Sequence, residues 1–365
     1  MRLLSRVVRR RPWSFMRSGL VTAALAVVPA VVAAQGLPRV HIIATGGTIS
    51  NLGNDARRTG DELVAAIPRL KEIARVTVEQ FSNVASGSVT QEMWRDLAKR
   101  IIALQAGPDA PAGYVITHGT DTMEETAFFL GLTVGGCAPV ITTGAMRQAS
   151  AVGADGPANL LNAVRVALAP SARGRGSMVL MNDELFAARD VTKSNTTRLN
   201  AFTAPDAGVL GLADPDTVVF HRAAPETGST CRRATFDVNA ITSFPRVDVI
   251  YASIGADSVL VDAAVAAGAK GLVVAGVGRG GTTPSQGSAL RRARGAGVLV
   301  ATSNRTGSGR VGGDLGDTSL AKLPAGAGAS IGTADLNPQK ARLLLMLGLA
   351  TRMRPIDIAR LFELR

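Results

Sequence analysis

Short continuous aliphatic runs alternate with amphipathic stretches along this chain. The runs at 40–44, 76–81, 114–117 and 140–143 are bounded by glycine and polar clusters, as buried strands are. The stretches near 61–67 and over 90–104, 123–134 and 159–168 read as helices. The second shows the pattern best. Met93, Trp94, Leu97, Ile101 and Ile102 fall at helical spacing, Arg95, Asp96 and Lys99 face outward, and Thr90 stands where an N-cap belongs. Strands alternating with helices predict an α/β fold with a mostly parallel sheet covered on both faces.

The rhythm lapses over 223–245, which contains "APETGSTCRRATFDVNAITSFP" and reads as a linker. It then resumes with a strand at 247–251, a helix at 259–267, a strand at 271–277, a helix from about Ser285 and a strand at 298–301. Two further helices are predicted to begin at Pro338 and Pro355, because proline suits a helix's first turn. The expected layout is a larger N-terminal α/β domain over 35–222, the linker, and a smaller C-terminal α/β domain over 246–365.

Residues 1–34 differ from the rest. A basic stretch ends at Arg17, an apolar run covers 20–33, and Val32, Ala33 and Ala34 offer a small-residue cleavage site. The run is shorter than the roughly 20 residues a membrane span needs. It reads as a secretory signal peptide, which places the mature chain in the periplasm or outside the cell, with no membrane attachment after cleavage. The charge picture changes with it. The formal charge of +12 includes six arginines from this segment, so the mature chain carries only +6. That weakens any nucleic-acid reading, and no basic stretch with interleaved aromatics supports one.

The chain has 365 residues, 46% hydrophobic, ample for two cores. Its two cysteines, Cys137 and Cys231, make no disulfide framework. Its three histidines, at 41, 118 and 221, show no metal-ligand spacing, and no metal or other cofactor is expected.

In open α/β sheets, ligands bind at the carboxyl ends of the strands. Three polar clusters fall there: "ATGGTIS" (44–50), Ser86 to Ser88, and "THGTDT" (117–122). The first is neither a dinucleotide fingerprint nor a phosphate loop of the Gly-Lys-Ser/Thr type. It puts Thr48 on a glycine turn, which suits a nucleophile beside backbone N–H groups and equally suits a capped turn. No G-x-S-x-G occurs, so a serine hydrolase is not indicated. A threonine nucleophile needs a base. "RDVTKSNTT" offers Lys193, one of only six lysines against 34 arginines. Lysine can give up its proton when desolvated, whereas arginine effectively cannot. Lys193 beside Thr120 and Asp121 would form a Thr–Lys–Asp relay; a surface ion pair is the other reading. His118 reads as a group orienting the strand end, with a general base as the alternative.

"ATGGTIS" and "THGTDTMEETAFFL" resemble the two signature motifs of the bacterial L-asparaginase family, specifically its exported type II enzymes. The resemblance continues through "TTGAMRQASAVGADGPANLLNAV", "NDELFAARDVTKSNTT", "AGVGRG" and "LNPQKARLLL", in family order across the mature chain. It implies hydrolysis of the side-chain amide of L-asparagine through an acyl-threonine. L-glutamine is an alternative substrate, and an exported amino-acid-binding protein without turnover is an alternative function. It implies a homotetramer built as a dimer of close dimers. By motif position it implies Thr48 as nucleophile and Thr120, Asp121 and Lys193 as the second catalytic group. Gly47, Ser86, Gly87, Gly119, Thr120, Asp121 and Ala145 would contact the substrate.

The chain also departs from the family pattern. No tyrosine lies on the loop 51–60, which is expected to act as a mobile lid. Gly255 stands where a neighbouring subunit's asparagine is usual, and Asp314 or Asp317 offers the only carboxylates near the usual glutamate. The disulfide of some exported members is not expected, because no cysteine precedes Cys137, so two free thiols are predicted.

Overall fold

The computed structural model describes residues 36–54, 56–223, 231, 233–312 and 330–363. The expectations for the signal peptide and for Asp314 and Asp317 lie outside the described residues. Gly36–Arg365 forms one compact unit. It contains a larger sheet and a smaller one.

The N-terminal strands are β1 (Arg39–Gly46), the hairpin pair β2 (Asn51–Gly53) and β3 (Ala56–Arg57), β4 (Arg75–Val84), β5 (Gly113–Thr117), β6 (Val140–Thr143), β7 (Ser177–Met181), β8 (Glu184–Ala187), the short pair β9 (Thr192–Lys193) and β10 (Phe202–Thr203), β11 (Gly211–Ala213) and β12 (Val218–Phe220). Eight of these form the larger sheet, in the order β12-β11-β8-β7-β6-β5-β1-β4. From β4 to β7 the pairing is parallel; from β7 to β12 it is antiparallel. The smaller sheet holds β13 (Val247–Tyr251), β14 (Gly271–Gly276), β15 (Leu299–Asn304) and β16 (Ser330–Gly332), all parallel and in chain order. The fold class is the one the hydrophobic pattern predicts.

The helices are α1 (Gly60–Ala65), α2 (Leu70–Ile73), α3 (Gln91–Ala106), α4 (Met123–Thr133), α5 (Gly156–Leu168), α6 (Val259–Ala266), α7 (Pro284–Gly295), α8 (Pro338–Ala350) and α9 (Pro355–Glu363). Thr90 caps α3, its Oγ1 accepting from the Met93 N–H at 3.2 Å. α8 and α9 begin at the predicted prolines, which lose nothing by lacking an N–H there. α4 is buried at every residue except Glu125. It lies between the sheets, where Phe128, Phe129 and Leu130 share one core with Leu343, Leu345 and Leu347 of α8 and with Val273 and Ala301 of the smaller sheet. A helix apolar all round fits only such a place.

Two features differ from the sequence expectation. Within the stretch expected to be an open loop, β2 and β3 pair antiparallel. The larger difference is at the cysteines, where Cys137 and Cys231 are joined in a disulfide, with their Cα atoms 4.7 Å apart. The expectation of two free thiols is overturned, and the cause is visible in the backbone. The N–H groups of Thr235 and Phe236 both donate to the Leu132 carbonyl at the end of α4, at 2.8 and 3.0 Å. Phe236, Val238 and Ile241 are buried in the shared core. That docking carries Cys231 back to the turn after α4, a return that sequence spacing cannot reveal.

Candidate active site

Four loops leave the carboxyl ends of β4, β1, β5 and β6 along one edge of the larger sheet. The register Ala44↔Thr117 and Thr117↔Thr143 aligns three of them. Side chains lock the strand ends together: Thr45 Oγ1 donates to the Thr117 carbonyl at 2.7 Å and Ser82 Oγ to the Thr45 carbonyl at 2.8 Å.

Glycines then let the loops approach closely. Gly47 has φ +88°, and a Cβ there would fall on the backbone nitrogen and Cα of Gly119. A Cβ on Gly119 would lie 2.8 Å from both Cβ and Oγ of Ser86. Thr122 Oγ1 donates to the Ser86 carbonyl at 2.9 Å. Gly47, Gly119 and Ser86 are therefore stacked in contact, and all three are buried, while Gly87 faces solvent. Thr48 is half-buried on the turn that follows, whose shape is set by Ser50 N–H to the Gly47 carbonyl (3.2 Å) and Asn51 N–H to the Thr48 carbonyl (3.1 Å). Ile49, buried beside it, packs where Gly156 leaves room.

Lys193 reaches this edge from β9. Its Nζ donates to Thr120 Oγ1 at 2.8 Å and to Asp121 Oδ1 at 2.6 Å. The Asp121 side chain is 78% exposed, whereas that of Lys193 is 15% exposed. Thr120 is buried. The surface ion-pair reading thus covers only the Asp121 end of the contact. At the other end, Lys193 Nζ donates to the buried Thr120 hydroxyl rather than to solvent.

Two residues that support the predicted Ala145, namely Asp155 and Asn159, were not singled out from the sequence. Ala145, buried at the end of β6, sits on a loop held by Asp155, whose carboxylate accepts from the Met146 and Arg147 N–H groups, both at 2.9 Å. Asn159 Nδ2 donates to the Gly144 carbonyl at 3.0 Å. The polar residues within "GADGPANLL" were the available signal. Glu124 and Lys340, both buried, and the half-buried Asn337 and Gln339 form a polar group behind Lys193; the last three lie in the quoted "LNPQKARLLL", but nothing in the sequence tied them to the lysine.

His118 is fully enclosed. Its Nδ1 lies 2.8 Å from the Gly119 carbonyl and its Nε2 2.9 Å from Thr126 Oγ1, which also accepts from Trp94 Nε1 at 2.7 Å. A carbonyl can only accept, so Nδ1 carries the proton. Burial pushes the ring's pKa down to about 4, which keeps it neutral, so Nε2 accepts from Thr126. His118 therefore orients the strand end. A groove of about 270 Å³ opens beside this edge, with Ser86, Gly87, Trp94 and Thr122 in its walls. Among the described residues, no group of three or more His, Cys, Asp or Glu is placed to hold a metal ion, and no helix is long and apolar enough to cross a membrane.

A parallel sheet edge that gathers two threonines, a lysine and a carboxylate around glycine turns has the parts of a hydroxyl-nucleophile hydrolase. Family comparison agrees. A family model described as "Asparaginase, N-terminal" matches residues 39–226, and one described as "Glutaminase/Asparaginase C-terminal domain" matches 246–362. The chain is similar to L-asparaginase 2 of Bacillus subtilis (strain 168), at 41% identity covering 90% of this chain and 87% of the relative. It is 40% identical to the probable periplasmic L-asparaginase of Haemophilus influenzae, covering 90% and 94% of the two chains. Among solved structures, the probable cytoplasmic L-asparaginase of Campylobacter jejuni superposes with a TM-score of 0.80 at 38% identity, covering 90% of this chain and 100% of that one. The chain belongs to the asparaginase family.

Proposed function

We propose that the protein hydrolyses the side-chain amide of L-asparagine, giving L-aspartate and ammonia through a threonine ester. The observation that carries the mechanism is the partly buried Lys193–Thr120 contact beside Asp121, on the edge where Gly47 seats the Thr48 turn against Gly119. Thr48 Oγ1 attacks the amide carbon, and the Thr120 N–H helps hold the oxyanion. The Thr48 hydroxyl proton passes through Thr120 to Lys193 Nζ and from there to the amide nitrogen, the C–N bond breaks, and the nitrogen leaves as ammonia. Water then attacks the ester, releasing aspartate and restoring Thr48. Lys193 moves the proton through Thr120, with Asp121 beside its ammonium.

Substrate recognition follows from the charges of an amino acid. The Asp121 carboxylate faces the α-ammonium, and Ser86 with the neighbouring N–H groups faces the α-carboxylate. Gly47, Gly87 and Gly119 border the substrate without side chains to obstruct it. The Ala145 carbonyl accepts from the side-chain amide. No cofactor takes part.

Ammonia release from L-asparagine and L-glutamine, measured side by side on the purified chain, tests this reading. Turnover of asparagine is the expected result. One methylene separates the two amides, worth about 1–3 kcal/mol in a pocket, so glutamine turnover at a lower rate fits a mixed glutaminase-asparaginase. Aspartate binding with no ammonia from either amide would instead support the binding-protein alternative.

Export and assembly belong to the same reading. A disulfide between Cys137 and Cys231 fits an oxidising compartment, and the periplasmic description of the H. influenzae relative points the same way. N-terminal sequencing of the exported protein is expected to begin near Gln35. A homotetramer is supported by exposed apolar side chains on the smaller sheet's edge strand and beyond it: Tyr251, Ile254, Val259 and Leu260. Sedimentation at micromolar concentration checks it.

A further inference from the structure

One turn of chain holds Lys193 at both ends. Its Nζ meets Thr120 and Asp121, and its own backbone N–H donates to Glu124 Oε2 at 2.8 Å. The strand carrying it, β9, has two residues and, among the described residues, pairs only with β10. So short a ladder cannot fix a side chain by itself. Glu124 is 4% exposed, and a carboxylate so buried requires donors. They come from the start of α8, where Asn337 Nδ2 and Gln339 Nε2 both donate to Glu124 Oε1. Asn337 Nδ2 also donates to Thr192 Oγ1 at 3.3 Å, while its Oδ1 caps α8 by accepting from the Lys340 N–H at 3.0 Å. Lys340 Nζ, itself buried, donates to the carbonyls of Arg189 and Val191 and lies 5.7 Å from the centre of the Phe128 ring. The segment leading into Lys193 is thus tied at Arg189, Val191, Thr192 and Lys193 to Glu124 or to α8, a helix packed on the smaller sheet.

We propose that Glu124 is a positioning residue for Lys193, the hub through which the start of α8 sets where the lysine ammonium stands against Thr120. This rests on Lys193 being the proton-transfer group, as read above. The lysine stem is long and flexible, so small errors at its Cα are amplified at Nζ. Fixing its backbone N–H reduces that error, and a misplacement of about 1 Å can cost on the order of 10²-fold in rate. The carboxylate suits the task because every group converging on it is a donor: the Lys193 N–H, Asn337 Nδ2 and Gln339 Nε2. A glutamine offers one acceptor oxygen and must turn its NH₂ toward one of those donors.

The test uses the full chain and three variants. Glu124→Gln is expected to lower kcat about tenfold or more, with KM and aspartate Kd unchanged within about twofold, because the substrate clamp is untouched. Asn337→Ser keeps an oxygen to cap Lys340 N–H but removes the donor to Glu124. It is expected to lower kcat by about threefold with KM unchanged. A merely structural role would lower the melting temperature and leave the kcat of the folded enzyme alone. A cooperatively folded Glu124→Gln with kcat within twofold of the parent overturns the proposal. If that variant does not fold, Asn337→Ser with unchanged kcat overturns it. Lys193→Met separates the two readings. Retained turnover there would remove the lysine's assigned role, whereas lost turnover with an indifferent Glu124→Gln would remove only the positioning role.

Discussion

Gly47 and Gly119 meet so closely that a single added methyl on Gly47 would occupy the Gly119 backbone and come within 2.8 Å of the His118 carbonyl carbon. The first residue precedes Thr48, the second precedes Thr120, and their contact sets the spacing of the two hydroxyl-bearing turns. Gly47→Ala would also force a side chain into φ +88°, a strain of about 1–3 kcal/mol before any clash. The expected outcome is loss of most ammonia release together with a lower melting temperature. Activity near that of the parent would show that the turns can separate without consequence.

The disulfide gives a second prediction. Cys137 and Cys231 are separated by 94 positions in sequence, and closing a loop of that size restricts the unfolded chain substantially. Under denaturing, non-reducing conditions the oxidised protein should show no titratable thiol. Cys231→Ser should lower unfolding stability by about 2–4 kcal/mol, measured in urea. Two free thiols in protein recovered from an oxidising compartment would contradict the pairing.

Sequence legibility tracked the range of the interactions. Strands such as 114–117 and 140–143 were readable because both faces are buried and the aliphatic run is unbroken. The β7–β8 hairpin was not read, although Asn182 and Asp183, with φ of 51° and 65°, are residues that favour such a turn. Its strands merge into one apolar stretch, "SMVLMNDELFA", with no helical period to separate them. At the site, Thr48, Ser86, Thr120 and Asp121 were legible because each lies just beyond a strand end. The structure places Lys193 on Thr120 and Asp121, as the relay requires. The group behind the lysine was not legible, since Glu124 and Gln339 meet across most of the chain and only the packing of α8 joins them.

A third prediction concerns pH. His118 has its pKa lowered by burial from 6.5 to about 4, so the folded state holds it neutral where the unfolded state would already protonate. Stability from this group is therefore fully present above about pH 6.5 and is lost as the pH falls toward 4. The loss is on the order of 3 kcal/mol over that window. His41, lowered mainly by burial, adds to the slope, while Glu125, raised mainly by burial, opposes it. Comparing urea midpoints of the parent and His118→Asn from pH 7 to pH 4 isolates the His118 share. Parallel curves would refute a neutral buried imidazole.

We predict that the hairpin of β2 and β3 acts as a lid over the site. It is tied at its base by the Arg58 N–H to the Ser50 carbonyl (2.7 Å), the Ala149 N–H to the Asn51 carbonyl (2.9 Å) and Ser150 Oγ to the Leu52 carbonyl (2.9 Å). Leu52 and Ala56 are the apolar side chains on its two strands, and Arg57 and Arg58 offer trypsin two cleavage points. Aspartate should slow cleavage there. Equal rates with and without aspartate would count against closure over the site.

The proposed chemistry depends on which threonine attacks. Thr48 stands on a turn with glycines before it, half-buried and open to a substrate. Thr120 is its rival, being buried against Lys193 and next to Asp121. If Thr48 attacks, Thr48→Ala should abolish turnover while aspartate still binds, because Ser86 and Asp121 remain. Thr120→Ala should weaken both turnover and binding. Lys193→Met should lose turnover and keep most binding. Losses on the order of 10³-fold or more in kcat are expected for residues acting as one unit. Acid-quenching the enzyme within its first turnovers and mapping the acylated peptide decides between the threonines. The label should lie on the peptide containing Thr48. Its appearance on the peptide containing Thr120 would reverse the two roles and make the Lys193–Thr120 pair the nucleophile and its base.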